Sequence, residues 1–166
     1  MNFPRLRRRC STGMSAVALL LATAACSSTD DRASAVVPSP AAKAAGLCRD
    51  LHAQLPEKVD GLHRSDPAPK SDLTAGWGDP AIILRCGVEQ PPEMLDPEVA
   101  KSDGVKVNGV AWLLQKRDDG SYVFTTGLRL AYVEVTLPKE RTGNGLGPLT
   151  DFAAPIKKTI PFGVAQ

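Results

Sequence analysis

The strongest constraint on the fold is the pattern of the last third of the chain, where short β-prone runs alternate with turn signals. Asn108-Gly109 separates two such runs and favours a type I′ hairpin, because both central positions of that turn need a positive φ. Asp118-Asp119-Gly120 predicts the next turn. From 130 to 137 the chain alternates strictly, which is typical of an antiparallel sheet with one covered face. One face is predicted to carry Ala131, Val133, Val135 and Leu137, and the other Tyr132, Glu134 and Thr136.

Two amphipathic segments predict helices that cover this sheet. The first has apolar residues at helical spacing from Ala44 to Leu55, and we expect Ser39 to cap it and Pro56 to end it. The second runs from Leu149 to Ile160, where Pro155 predicts a kink or two short helices. The stretch from 56 to 78 has scattered prolines and charges and is expected to be an irregular loop. The sequence therefore predicts an α+β fold, a mainly antiparallel sheet of four to five strands with two helices packed on one face.

The beginning of the chain has the order of a secretory signal peptide. A basic stretch, Arg5 to Arg9, precedes an apolar run from Met14 to Ala25 that ends in small residues. That run of 12 residues reaches about 18 Å as a helix, well short of a hydrocarbon core of about 30 Å. We therefore predict a signal peptide over residues 1–25 and not a membrane-spanning helix.

Two cleavage chemistries fit the end of this leader. Ala22-Thr23-Ala24 suits an ordinary cut that would release a secreted soluble protein, whereas Ala24-Ala25-Cys26 resembles a bacterial lipobox with Thr23 in place of the usual aliphatic residue. Lipidation of Cys26 would remove the odd thiol and leave Cys48 and Cys86 as an even pair. This favours an extracytoplasmic protein anchored to the cell membrane through Cys26. Residues 26–42 are then a lipid-anchored flexible tether, and 43–166 a single α+β domain.

Cys48 and Cys86 are predicted to form a disulfide. Cys48 lies on the apolar face of the first predicted helix, and Cys86 follows an apolar run, 81 to 85, that predicts a strand. In an exported protein the default for two such cysteines is a disulfide, and two free buried thiols are the alternative. A metal site is disfavoured, because neither cysteine has a second ligand at metal-site spacing.

No set of residues selects a catalytic mechanism. His63 lies in a polar segment with Asp60, Ser65 and Asp66, His52 lies on the first predicted helix, and the carboxylates are spread singly through loops. We therefore expect no catalytic residue, no metal and no cofactor. Without residues 1–26 the chain has 16 basic and 18 acidic residues, a net charge of −2. A mildly acidic chain argues against a nucleic-acid partner, which requires clustered Lys and Arg.

The candidate binding residues are grouped around a tryptophan. Trp77 either anchors the core or, on a loop beside Gly78, lines a recognition groove together with Asp79, Arg85 and Arg129. Functional residues favour loops held on a rigid scaffold, which is the reason for the second interpretation.

Several of these residues carry a resemblance to a known family. It spans about residues 46–138 and rests on Trp77-Gly78-x-Pro80, Leu84-Arg85-Cys86-Gly87-Val88, Pro91, Trp112, Thr126-Gly127-x-Arg129, Val133-Glu134-Val135, and Cys48 with Leu55-Pro56 upstream. The chain resembles the actinobacterial secreted lipoprotein family called domain of unknown function 3515. The resemblance implies an exported, often lipid-anchored envelope protein of a Gram-positive-type cell, and it implies no activity.

The sequence leaves two hypotheses from different classes. The first is a non-catalytic envelope lipoprotein that binds or assembles an envelope protein or a cell-wall component. The alternative is an envelope hydrolase that uses dispersed acidic residues or His63. A purely structural spacer is a third possibility.

Overall fold

Eight strands and three α-helices make up the part of the chain that the structure, a computed structural model, describes. These are residues 32–165, with Ala100 described by its backbone only. The elements in chain order are α1 (Ala42–His52), β1 (Lys58–Val59), β2 (Leu62–His63), β3 (Thr74–Trp77), β4 (Ile82–Val88), α2 (Pro97–Ser102), β5 (Gly104–Val107), β6 (Val110–Lys116), β7 (Tyr122–Gly127), β8 (Tyr132–Leu137) and α3 (Gly147–Thr159). Two 3₁₀ helices, Pro92–Leu95 and Lys139–Asn144, flank α2 and α3 on their N-terminal sides.

The main sheet has six strands in the order β3-β4-β8-β7-β6-β5, and every neighbouring pair is antiparallel. The prediction of an α+β fold with an antiparallel sheet is confirmed, but the strand number of four to five is wrong. The extra strand is β3, which lies in the stretch from 56 to 78 that was predicted to be a loop. Four residues are too few to show a period, and pairing with β4 makes them a strand. The same stretch also holds a separate β1–β2 hairpin that turns at Asp60-Gly61.

The predicted features of the C-terminal strands are confirmed. Asn108 and Gly109 have φ values of 46° and 85°, and Val107 pairs with Val110 across their turn. The four alternating apolar residues, Ala131 just before β8 and Val133, Val135 and Leu137 within it, are all buried in the core. Tyr132, on the opposite side, is only 7% exposed, so that face of the sheet is also partly covered.

Helices α1 and α3 cover one face of the sheet. Cys48 of α1 is bonded to Cys86 of β4, which confirms the predicted disulfide. On α3, the Phe152 ring lies 5.1 Å from the Trp77 ring, centroid to centroid. Trp77 pairs with Ile82 across the strands, so their side chains lie on the same face of the sheet. Cys86 is four residues further along β4 and lies on that face too, so both helices contact the same face. The core lies in this layer.

The helix ends differ from those predicted. Helix α1 begins at Ala42 after Ala41, which makes no side-chain capping hydrogen bond, so the predicted cap by Ser39 is wrong. It ends at His52, ahead of Pro56. Helix α3 runs from Gly147 to Thr159 as one helix and is not split at Pro155. None of the described helices is both long and apolar enough to cross a membrane.

The folded domain begins upstream of residue 43. The Ala35 amide donates to the Ala68 carbonyl at 3.0 Å, and the Ala68 amide donates to the Ala33 carbonyl at 2.8 Å. Further along, Pro40 packs on Gly87, where a β-carbon would lie 2.5 Å from Pro40 Cγ. The end of the predicted tether is therefore fastened to the domain. The predicted signal peptide, Cys26 and the first part of the tether lie outside the described residues.

Candidate functional site

Trp77, the centre of the predicted binding group, is a core residue. Its side chain is 0% exposed, and its indole N–H donates to the Pro56 carbonyl at 3.0 Å. The Arg64 guanidinium lies 5.9 Å from the ring centroid. This arrangement matches the core-anchor interpretation and leaves Trp77 no surface for a ligand to contact.

Asp79 and Arg129 bond to different parts of the chain. Asp79 is exposed, and its main-chain carbonyl accepts a hydrogen bond from Arg141 Nη2 at 2.8 Å. Arg129 is only 8% exposed, and its Nη1 donates to the Ile160 carbonyl at 2.9 Å. Ile160 caps the C-terminal end of α3, where a positive charge is favourable. Arg129 therefore holds the end of a helix.

Arg85 lines a cleft of about 650 Å³, and Trp77, Asp79 and Arg129 do not line this cleft. It points to the sheet face opposite the helices, where it pairs across strands with Glu134. Arg85 Nε and Nη2 lie 2.9 Å and 2.8 Å from Glu134 Oε1, so much of the charge of the guanidinium is compensated. Within the described residues no hydrogen bond or ion pair joins Arg85 to Trp77, Asp79 or Arg129.

Two adjoining clefts lie on this side of the domain. The Arg85 cleft, about 650 Å³, lies between the segment 36–41 and the end of β4. The Leu113 cleft, about 430 Å³, has walls of Met94, Leu113, Leu128 and Val164, with Lys106 at one side. Gln90 and Tyr132 line both clefts, so the two clefts are neighbours. Volumes of this size are typical of sites for small molecules or side chains.

A β-bulge at the end of β4 shapes the junction of the two clefts. The β4–β8 register shifts between Cys86 and Val88, which places Val88 opposite Tyr132. Gly87 has a φ of 86° and lies under Pro40, so this position requires glycine. Burial raises the pKa of the Tyr132 hydroxyl, which therefore stays a neutral hydrogen-bonding group at the junction.

Leu128 stands at the Leu113 cleft in a strained backbone conformation. Its φ is 54°, which costs a non-glycine residue about 1–3 kcal/mol, and its side chain is 53% exposed. The C-terminal segment holds it there: the Gly163 amide donates to the Leu128 carbonyl, and the Leu130 amide to the Pro161 carbonyl, each at 3.1 Å. Arg129 fastens the same segment through Ile160. An exposed apolar side chain is thus kept at the mouth of the cleft.

The ionisable side chains that line the two clefts are Arg85, Glu89, Lys106 and Tyr132. His63 is exposed in β2 and lines neither cleft. In the part of the chain that the structure describes, no three His, Cys, Asp or Glu residues form a group that could hold a metal ion. The clefts therefore offer apolar contacts, hydrogen bonds and the charges of Glu89 and Lys106.

His52 also lies outside the clefts, in a polar cluster behind α1. Arg64 Nη2 donates to its Nε2 at 2.7 Å, and its Nδ1 lies 4.0 Å from Asp72 Oδ1. Burial, and next the nearby Arg64 charge, lower the pKa of His52. The ring is neutral at neutral pH and joins α1 to the segment between β2 and β3, in which Arg64 and Asp72 lie.

Most cleft residues could not be selected from the sequence. Tyr132 had one usable signal, since it lies on the polar side of an alternating strand. Met94, Leu113, Leu128 and Val164 belong to four separate segments, and only the sheet order and the C-terminal bridge between Arg129 and Phe162 bring them together.

A protein-family model matches most of the chain. The family model described as "Protein of unknown function (DUF3515)" matches residues 11–163, a range that includes every described helix and strand. This confirms the resemblance to domain of unknown function 3515 found in the sequence. No curated protein and no solved structure was found to match the chain.

Proposed function

We propose that this chain, which belongs to the family described as protein of unknown function (DUF3515), is an exported, lipid-anchored binding module of the cell envelope. Its domain holds an envelope protein or a cell-wall component in the Arg85 and Leu113 clefts. The observation that carries the proposal is the Leu113 cleft, an apolar hollow on the sheet side away from the helices, with exposed Leu128 held at its mouth.

The disulfide supports the exported part of the proposal. Structural disulfides persist in oxidising compartments and are rare in the cytosol, where thiols are kept reduced. The Cys48–Cys86 bond joins two buried cysteines between a helix and the sheet, so it belongs to the folded core. The signal-peptide pattern and the lipobox-like Ala24-Ala25-Cys26 agree with that compartment.

The composition of the clefts supports binding over catalysis. General acid–base chemistry needs two or more ionisable groups that converge on one reacting atom. Arg85 is paired with Glu134, and Tyr132 is neutral. Leu128 and Val164, both more than half exposed, line the Leu113 cleft together, and grouped exposed apolar side chains are typical of interaction sites. The envelope hydrolase has no comparable support, because His63 lies outside both clefts.

Photo-crosslinking in the producing cell tests the binding part. A benzophenone amino acid is placed at Leu128, on the cleft, or at Leu146, an exposed leucine on a separate cleft beside Phe124. Gly127→Leu then fills the Leu113 cleft, since a β-carbon at Gly127 has no atom within 4 Å. Gly143→Leu is the matched control, because Gly143 is equally open and lines neither cleft.

The expected result is a discrete adduct from position 128 that Gly127→Leu abolishes and Gly143→Leu keeps. The same adducts from both positions, or an adduct that survives cleft filling, would contradict the proposal.

The intact mass of the protein from the membrane fraction tests the anchor. A diacylated N-terminus at Cys26 is expected, and Cys26→Ser should leave the chain unlipidated. A product that begins at Ala25, or an uncut cytosolic chain with reduced cysteines, would overturn the anchor.

A further inference from the structure

The two edge strands of the main sheet differ in whether another segment of the chain covers them. At the β3 edge the Ser65 amide donates to the Gly76 carbonyl at 2.8 Å, and the Gly78 amide donates to the His63 carbonyl at 3.1 Å. A β-carbon at Gly76 would lie 2.6 Å from the Ser65 carbonyl oxygen, so the covering segment lies directly on the strand. Strand β5 is the opposite edge, and no described strand pairs with its outer side.

The outer side of β5 presents free backbone groups. Val107 and Val110 flank the two-residue turn and exchange both hydrogen bonds, as do Val105 and Trp112 one step further. The Leu114 amide donates to the Asp103 carbonyl at 2.8 Å, so Asp103 and Leu114 are the next hydrogen-bonded pair in this alternation. The N–H and C=O groups of Gly104 and Lys106 therefore point away from β6. Both residues are exposed, and no other described residue bonds to these groups.

The free edge borders the Leu113 cleft. Gly104 pairs with Leu113, and Lys106 pairs with Ala111, so these four residues lie on the face of the sheet away from α3. All four residues line the Leu113 cleft. Because Gly104 has no side chain, nothing at that position separates the cleft from the space beside the strand.

We propose that the free edge of β5 accepts an extended segment of a partner protein as a further antiparallel strand. An acidic residue of that segment lies beside Lys106, and an apolar residue two positions later lies beside Gly104 and enters the Leu113 cleft. Main-chain hydrogen bonds to Gly104 and Lys106 provide affinity, and the cleft provides specificity, as in other cases of strand addition. This inference rests on the proposed binding function and names the segment that is bound.

A second copy of the chain fits this edge poorly. Antiparallel pairing of two β5 strands about Val105 would place Lys106 of one copy beside Gly104 of the other, with its ammonium at an apolar cleft. Pairing about Lys106 would set two lysines side by side, which is destabilising. An acidic and apolar segment avoids both conflicts.

The probe is the peptide acetyl-Thr-Val-Glu-Val-Leu-Val-Thr-amide, labelled and titrated with the full, disulfide-bonded chain by fluorescence anisotropy. N-methylation of Glu and Leu removes the two amides that would donate to β5. N-methylation of the two valines that follow them removes amides that point the other way, and this peptide is the matched control. Lys106→Pro deletes the edge donor of the protein, while Lys106→Ala deletes only the side chain.

We expect the Glu/Leu N-methyl peptide to bind about tenfold or more weakly and the valine N-methyl peptide to bind like the parent. Lys106→Pro and Gly127→Leu should weaken binding to a similar degree, and Lys106→Ala by only about threefold. Equal weakening by both N-methyl peptides would overturn strand addition. A dimer of the chain that Lys106→Pro dissociates would also overturn it, in favour of self-pairing.

The two proposals fail separately. If the Leu128 adduct forms and is lost in Gly127→Leu, but no peptide binds, the binding function holds and strand addition is wrong. If neither the adduct nor peptide binding occurs, both are wrong.

Discussion

The two ends of the main sheet differ in how they are closed. At the β3–β4 end, a disulfide, the Trp77–Phe152 contact and the segment 63–65 cover the strands. At the β5–β6 end, the strand edge has free backbone groups and borders an apolar cleft. The cross-link and the ring contact thus lie at the covered end, whereas the other end keeps an unpaired strand edge, a feature that natural sheets normally protect.

Removing the disulfide should have the largest effect. The bond closes a loop with a sequence separation of 38 residues, and the chain-entropy model assigns such a loop about 4 kcal/mol. We expect Cys48→Ala with Cys86→Ala to lower the free energy of unfolding by that amount, measured in urea by tryptophan fluorescence. A reducing agent should reproduce the loss in the wild type and do nothing to the double variant. An unchanged midpoint in the variant would show that the covered end does not depend on the bond.

Two glycines allow a matched comparison of a covered position in β4 with an open position in the Leu113 cleft. Gly87→Ala, at the covered end, places a β-carbon against Pro40 at a φ of 86° and should destabilise the domain by about 1–3 kcal/mol. Gly127→Ala, in the Leu113 cleft, meets open space, and we expect its stability to stay within about 0.5 kcal/mol of the wild type. Thermal unfolding of both variants tests this. Equal losses would mean that the cleft is more tightly packed than its walls indicate.

The smallest predicted effect is a pH dependence at the covered end. Burial and Arg64 lower the pKa of His52 in the folded state, so the unfolded chain takes up a proton at higher pH than the folded one. This contribution to stability is complete above the unfolded pKa of about 6.5 and is lost as the pH falls below it. We expect the loss of Tm between about pH 8 and about pH 5.5 to be smaller in His52→Gln than in the wild type.

The exposed His63 supplies the matched control variant for this measurement, His63→Gln. A wild-type slope in His52→Gln would assign the acid sensitivity to other groups.

Local pattern was enough for some of these features and not for others. The Asn108-Gly109 turn and the alternation of β8 were predictable because turn type and side-chain period are properties of neighbouring residues. Strand β3 was not, because four residues have no visible period and their state depends on β4. Trp77 was left between core and groove, since burial of a single tryptophan depends on a distant partner, here Phe152.

The candidate site was harder still. Arg85 was predicted from its place beside Cys86, and it does line a cleft. Tyr132, Leu113 and Leu128 were missed as site residues, because strand order and a backbone bridge near the C-terminus bring them together.

The sequence by itself determined the two hairpins that join β5, β6 and β7, the amphipathic helices α1 and α3, and the two cysteines that form the disulfide, because each depends on short-range geometry or on counting. Only the tertiary structure decided that β4 lies beside β8, that one sheet edge is covered and the other free, and that two clefts meet at Tyr132. Arg85 and Glu134 are 49 residues apart in the chain, and their pairing depends on burial of the whole sheet. Contacts of that range are set by the packing of all the elements together.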